Sequence, residues 1–304
     1  MRPRSTPSLL ALSLTLSSAC MPTGPGTVER TPDPARNGSD GSEGAYGAAL
    51  VTIQTQARVT ERVTVDVVFP SDSAGNLDRR GAPYPVIVFT QGGLVPSDRY
   101  RWLAKHFATR GYVTLSTRHV LDLAIFQVDN GTAALQALRR TASTPGHTLA
   151  NAVAPTGPVV AMGHSLGGVI ASWQWVQYGY AGVVLLASFP EGSAEVSLRA
   201  GTPVLSITGD RDGLARVPDV TAGLLRFSPP RLLAVVQGMN HFDWTEGASP
   251  SELSRDQSPT RPQTATRTDA LRVIDTWLDA TLRSDPQAQQ ALTLGSFSGV
   301  TVSR

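Results

Sequence analysis

The hydrophobic positions change rhythm along this chain. Over residues 48–57 and 58–69, β-branched and apolar residues alternate with polar ones, placing Val51, Ile53, Val59, Val63, Val65 and Val67 on one parity. A period of two predicts a pair of antiparallel edge strands joined tightly, closed by the polar stretch from Ser71 to Gly81. Beyond it the alternation stops. Tyr84 to Phe89, Val113 to Leu115, Val159 to Met162, Val183 to Leu186, Val204 to Ile207 and Leu232 to Val236 are short apolar runs, as expected of central strands covered on both faces. Helical patterns separate several of them. Ser97 or Asp98 can cap a helix running through Ala108, residues 129–140 suit a second, and Leu166 to Tyr178 a third. Over 267–282 a last helix places Leu271, Ile274, Trp277 and Leu278 on one face.

Two antiparallel strands followed by strand and helix in alternation predict an α/β fold: a mostly parallel central sheet with helices on both faces. Ligands of such sheets bind outside the carboxyl ends of the strands. The polar segment Thr245 to Thr266 reads as a loop on the rim of that crevice, and Leu292 to Val302 as a short strand without an assigned role. The chain has 304 residues, of which 41% are hydrophobic and 16% charged, enough for one large core with loose ends. The expected organisation is a signal segment at 1–20, a tether at 21–47, a catalytic domain at 48–283 and a tail at 284–304. Lys and Arg number 26 against 24 Asp and Glu, scattered rather than gathered in a stripe, so nucleic acid is not an expected partner.

The start of the chain reads as a targeting segment. Arg2 and Arg4 precede an apolar stretch from Leu9 to Leu16, which ends in Leu-Ser-Ser-Ala-Cys20 and is too short to span a bilayer. Cys20 is the sole cysteine, so it has no intrachain disulfide partner. The segment resembles a bacterial lipoprotein signal, with its leucine one position further from the cysteine than usual. That resemblance implies lipidation at Cys20, export, and attachment to a membrane surface without a spanning helix; ordinary secretion is the alternative. Residues 21–47, rich in Pro, Gly, Ser and Thr, would then be the tether.

Candidate chemistry centres on Gly163-His-Ser165-Leu-Gly167-Gly168, which follows one apolar run and opens a helical pattern. This is the G-x-S-x-G arrangement, in which a serine sits on a tight strand-to-helix turn and its neighbours must be almost free of side chain. A serine hydroxyl needs a neighbouring imidazole to accept its proton, and the imidazole needs a carboxylate to fix its tautomer. His241, on the loop Gln237-Gly-Met-Asn-His after an apolar run, is the best base. His164 adjoins the serine and reads as structural support; His106, His119 and His147 have no partners implied by the sequence. Within Gly209-Asp-Arg-Asp212 either Asp210 or Asp212 could reach His241, the other capping the turn. The order is Ser, Asp, His.

On those residues the chain resembles the α/β-hydrolase superfamily, in particular small bacterial esterases related to dienelactone hydrolase and to cutinase-like polyester hydrolases. The resemblance covers residues 48–283. It implies Ser165 as nucleophile, Asp212 as acid and His241 as base, acting on a small or polymeric carboxylic ester with no cofactor and no metal. It also maps two backbone donors for the carbonyl oxygen: Leu166, and Gly93 or its neighbour Leu94 in Thr90-Gln-Gly-Gly-Leu94. Gln91 stands where similar enzymes carry histidine.

Trp244, three residues after His241, is expected to wall an apolar substrate pocket, whereas Trp102, Trp173, Trp175 and Trp277 read as packing residues. No long lid insert separates the runs at Val183–Leu186 and Val204–Ile207, which favours an open cleft. Metal-ligand spacings such as H-E-x-x-H are missing from the sequence, as is a dinucleotide fingerprint. The competing reading is a surface-displayed binding lipoprotein that kept the scaffold without the chemistry, with Gln91 as its support.

Overall fold

Nine strands form one sheet in the order β1-β2-β4-β3-β5-β6-β7-β8-β9. They span β1 Gly47–Arg58, β2 Glu61–Ser71, β3 Val86–Thr90, β4 Val113–Arg118, β5 Val159–His164, β6 Gly182–Leu186, β7 Val204–Gly209, β8 Arg231–Val236 and β9 Val300–Ser303. This computed structural model describes residues 44–58, 61–118, 128–190 and 201–304. The expected signal segment with Cys20, all of the expected tether but its last residues, Val59 and His119 lie outside that description.

The run from β4 through β8 is parallel, and β1, β2 and β9 join it antiparallel. The α/β architecture expected from the pattern is the one observed. In β3, β5, β6 and β7 every residue is buried, which explains why their sequences lack alternation. Where alternation does occur, in β1 and β2, it separates two packed surfaces. Val51, Ile53, Val63, Val65 and Val67 join the main core, while Leu50 and Val68 point the other way, against Ala104 and Ala108. Of these two, only β1 is an edge strand. β2 pairs with both β1 and β4, contrary to the expectation that both leading strands are edges.

Seven helices are described: α1 Arg101–Thr109, α2 Val128–Ala142, α3 Leu166–Tyr178, α4 Val217–Leu224, α5 Pro250–Leu253, α6 Gln263–Leu282 and α7 Pro286–Leu294. The first begins as a single 3-10 turn, Ser97–Tyr100, with Pro96 rather than Ser97 or Asp98 at its cap position and no side-chain cap. Buried His106 of α1 meets Asp275 of α6 at 3.0 Å, and Arg110 reaches the same carboxylate at 2.8 Å. A buried charge needs such company, and the cluster fixes how α1 and α6 lie together.

The segment expected to be loop throughout, Thr245 to Thr266, contains α5 and the first turn of α6. Ser249 and Glu252 close a reciprocal capping box around α5. The stretch after 284 is also ordered into elements. Asp285 caps α7 through the N–H groups of Gln287 and Ala288, and β9 then pairs with β8.

Chain order reverses around β3. The chain steps from β3 outward to β4, then crosses back to β5 on the other side. A crevice opens at such a switch point, outside the carboxyl ends of the flanking strands. Thr90 ends β3 beside Gly163 of β5, so the residues that follow them, Gln91 to Leu94 and Ser165, leave the sheet at that switch point.

Candidate active site

Ser165 links β5 to α3 with φ 53° and ψ −126°, a left-handed backbone region that side chains rarely adopt. The turn is held by its own backbone: the Ser165 N–H donates to Leu186 O on β6 at 2.9 Å, and Gly168 N–H donates to Ser165 O at 2.9 Å. Such sharpness requires close approach. A Cβ on Gly163 would overlap the carbonyl of Gly167, and one on Gly167 would overlap the carbonyls of Thr90 and Gln91. The glycines of the motif therefore permit β3, β5 and α3 to converge.

Asp212 and His241 come together although 29 residues separate them. His241 Nδ1 lies 2.9 Å from Asp212 Oδ2 and 3.1 Å from Oδ1, and both residues are buried. A carboxylate only accepts, so the ring proton is assigned to Nδ1 and Nε2 is left as an acceptor. The carboxylate is itself fixed, with Oδ1 accepting the N–H of Leu214 at 2.9 Å and of Ala215 at 2.6 Å. Asp210 is engaged elsewhere: its Oδ1 accepts the Gly238 N–H at 2.7 Å. The two acids left open by the sequence thus divide, Asp212 to the imidazole and Asp210 to the turn after β8.

A buried chain of hydrogen bonds ties three loops together. Gly92 N–H donates to the Tyr100 hydroxyl at 3.1 Å, Tyr100 Oη is 2.8 Å from His164 Nδ1, and His164 Nε2 is 3.2 Å from His241 O. The carbonyl must accept, so Nε2 carries the proton and Tyr100 donates to Nδ1. Burial drives the His164 pKa well below its ordinary value, and nearby His241 adds to the effect. It drives the Tyr100 pKa upward. Both groups stay neutral, as this direction of bonding requires. His164 also packs against the His241 ring, with centroids 4.6 Å apart. It is a structural support, as its sequence position suggested.

Leu166 is the first residue of α3, where N–H groups have no acceptor within the helix. Gly93 lies against it: a Cβ on Gly93 would be 3.1 Å from Leu166 Cδ2. The two residues mapped as backbone donors are therefore neighbours, through the Leu166 side chain. Gln91 is fully buried, with neither amide atom hydrogen-bonded among the described residues. Leu94 has φ 60° and is 68% exposed.

One expectation is corrected. Trp244 is 0% exposed, within the main core, and its carbonyl accepts from Trp102 Nε1 at 3.3 Å. It presents no face to a solvent-filled cleft. The reason is local: His241–Trp244 forms a 3-10 turn whose Asn240–Asp243 capping box rolls the tryptophan inward. Trp175 and Trp277 are core, as expected, with Trp102 packed against it. Part of the segment read as lacking a lid, residues 191–200, lies outside the described residues.

Three residues that sequence reasoning passed over support the site. Tyr100 is the middle of the buried chain. Arg99 donates to Glu246 O at 2.6 Å, to Thr245 Oγ1 at 3.0 Å and to Glu252 at 2.8 Å. Asp256 accepts the N–H of Gly213 and of His241, each at 2.7 Å. Most of these partners are 15 or more residues away in sequence, and a polar residue in a polar segment carries no local sign of such a contact.

Residues 86–249 match a model described as the alpha/beta hydrolase family, a span of more than half the chain. No curated protein matches the sequence.

Proposed function

Since the chain belongs to the alpha/beta-hydrolase family, we propose that it is a serine hydrolase that cleaves carboxylic esters through an acyl-serine intermediate. The observation that carries this reading is the Asp212–His241 pair, 2.9 Å apart, on loops that converge with the strained Ser165 turn. Ser165 Oγ attacks the ester carbonyl carbon while its proton passes to His241 Nε2. Charge building on the carbonyl oxygen is met by the N–H groups of Gly93 and Leu166, reinforced by the positive end of α3. Collapse breaks the ester bond, and the proton on Nε2 leaves with the alcohol. Water then attacks the acyl-serine carbonyl carbon and gives a proton to the same nitrogen; collapse breaks the acyl–Oγ bond, Nε2 returns the proton to Ser165 Oγ, and the carboxylic acid leaves. Asp212 holds the tautomer and supports the imidazolium in both halves.

The acyl or alcohol group is proposed to be apolar. With Trp244 in the core, support comes instead from Leu94 and Leu214, 68% and 45% exposed. Leu94 follows Gly93, and Leu214 lies two residues after Asp212. The chain is further proposed to be exported and lipid-anchored through Cys20, on the strength of residues 1–20 alone. Among the described residues no helix is long and apolar enough to cross a membrane.

The test is hydrolysis of p-nitrophenyl esters from acetate to palmitate by the purified protein and by Ser165→Ala. The expected result is turnover that falls by about a thousandfold or more in the variant, with a chain-length preference that reports the apolar subsite. Equal rates in the two proteins would overturn the hydrolase reading and favour a binding scaffold.

A further inference from the structure

Asp256 lies between α5 and α6, outside both catalytic loops, yet its carboxylate joins them. Oδ1 accepts the N–H of Gly213, the residue after Asp212, at 2.7 Å, and also that of Gln257 at 2.8 Å. Oδ2 accepts the N–H of His241 at 2.7 Å, with Phe242 N–H further off at 3.4 Å. One rigid planar group therefore sets the separation between the peptide beside the acid and the peptide of the base. Hydrogen bonds to a charged acceptor are roughly twice as strong as neutral ones, so this link is stiffer than a backbone contact would be.

The surrounding strap is secured at both ends. Asn240 Nδ2 donates to Gln257 O at 2.9 Å and Arg211 Nε to Ser258 O at 3.3 Å. At the other end Arg99, in the 3-10 turn beyond the Gly92–Gly93 loop, binds Thr245, Glu246 and Glu252. The peptide groups of His241 are consequently held on two sides: its N–H by Asp256 and its C=O by His164. Neither contact touches the imidazole nitrogens.

We infer that Asp256 is a positioning residue, which locks the acid and base loops in register so that the Asp212–His241 bond forms without further adjustment. The inference rests on the reading of these two residues as acid and base. A misplacement of about 1 Å in such a constellation is worth on the order of a hundredfold in rate. Asp256→Ala removes both acceptors. Asp256→Asn keeps one oxygen and sets a donor against a donor at the other.

Two readouts are compared in wild type and both variants, with thermal unfolding to establish that each is folded. The first is p-nitrophenyl butyrate kinetics, in which kcat should fall about tenfold to a hundredfold with KM unchanged. The second is the far-downfield proton resonance of His241 Nδ1–H, which should broaden or move upfield. Wild-type kcat and an unmoved resonance in a folded variant would overturn the inference while leaving the hydrolase reading intact. If instead wild type shows no turnover beyond Ser165→Ala, the hydrolase reading fails, and the resonance alone decides whether Asp256 holds the pair.

Discussion

Ser165 is held at φ 53° and ψ −126°, where a Cβ is unwelcome and glycine is at ease. Strain of this kind amounts to about 1–3 kcal/mol, offset for glycine by the roughly 0.5–1 kcal/mol of extra chain entropy it loses on folding. Ser165→Gly should therefore raise the unfolding free energy by about 1 kcal/mol while abolishing the proposed ester turnover, as urea denaturation of the variant would measure. An unchanged or lowered stability would show that the turn is relaxed with serine in place. At this scale much was legible. The glycines and the serine announce the turn, because only that spacing lets three segments approach. The residues alone left Asp210 and Asp212 both open, since both follow one strand, while the family resemblance pointed to Asp212, the one that faces His241. Trp244 was misjudged for a related reason: nearness in sequence to His241 says nothing about which way a capped turn rolls its last residue.

Among the elements, the segment from Thr245 to α6 shows what periodicity cannot report. It has no apolar face to reveal itself, and it is placed by polar anchors at Arg99, Asp256 and Arg261, the last donating to Gln237 O at 3.0 Å. The Arg99–Glu252 anchor has a pH signature. Burial alone would raise the Glu252 pKa, but hydrogen bonds from Arg99 and Ser249 outweigh it and hold the pKa at about 2. A carboxylate whose folded pKa is depressed binds fewer protons folded than unfolded, so it stabilises the fold above its ordinary value. That contribution is fully present above about pH 4.5 and is lost as the pH falls towards 2. Wild type should melt higher than Glu252→Gln at neutral pH, with the gap closing across that interval. A gap independent of pH would show that charge on Glu252 is not what anchors the strap.

For the whole molecule, residues 1–20 supply a prediction independent of the folded domain: the protein expressed with its own N-terminus should fractionate with membranes, and Cys20→Ser should release it. Retention of the variant on membranes would remove the anchor from the proposal. Sequence by itself determined the mostly parallel sheet, its buried strands, the helices α1, α2, α3 and α6 and the Ser, Asp, His order, because backbone periodicity and turn chemistry act over a few residues and leave local marks. Tertiary structure alone decided that Trp244 is core, that Tyr100 and His164 join the Gly92 loop to His241, and that Asp256 bridges the loops of Asp212 and His241. The hydrogen bonds among those loops span 8 to 77 residues of chain. They depend on where the strands end in space, which no short-range pattern encodes.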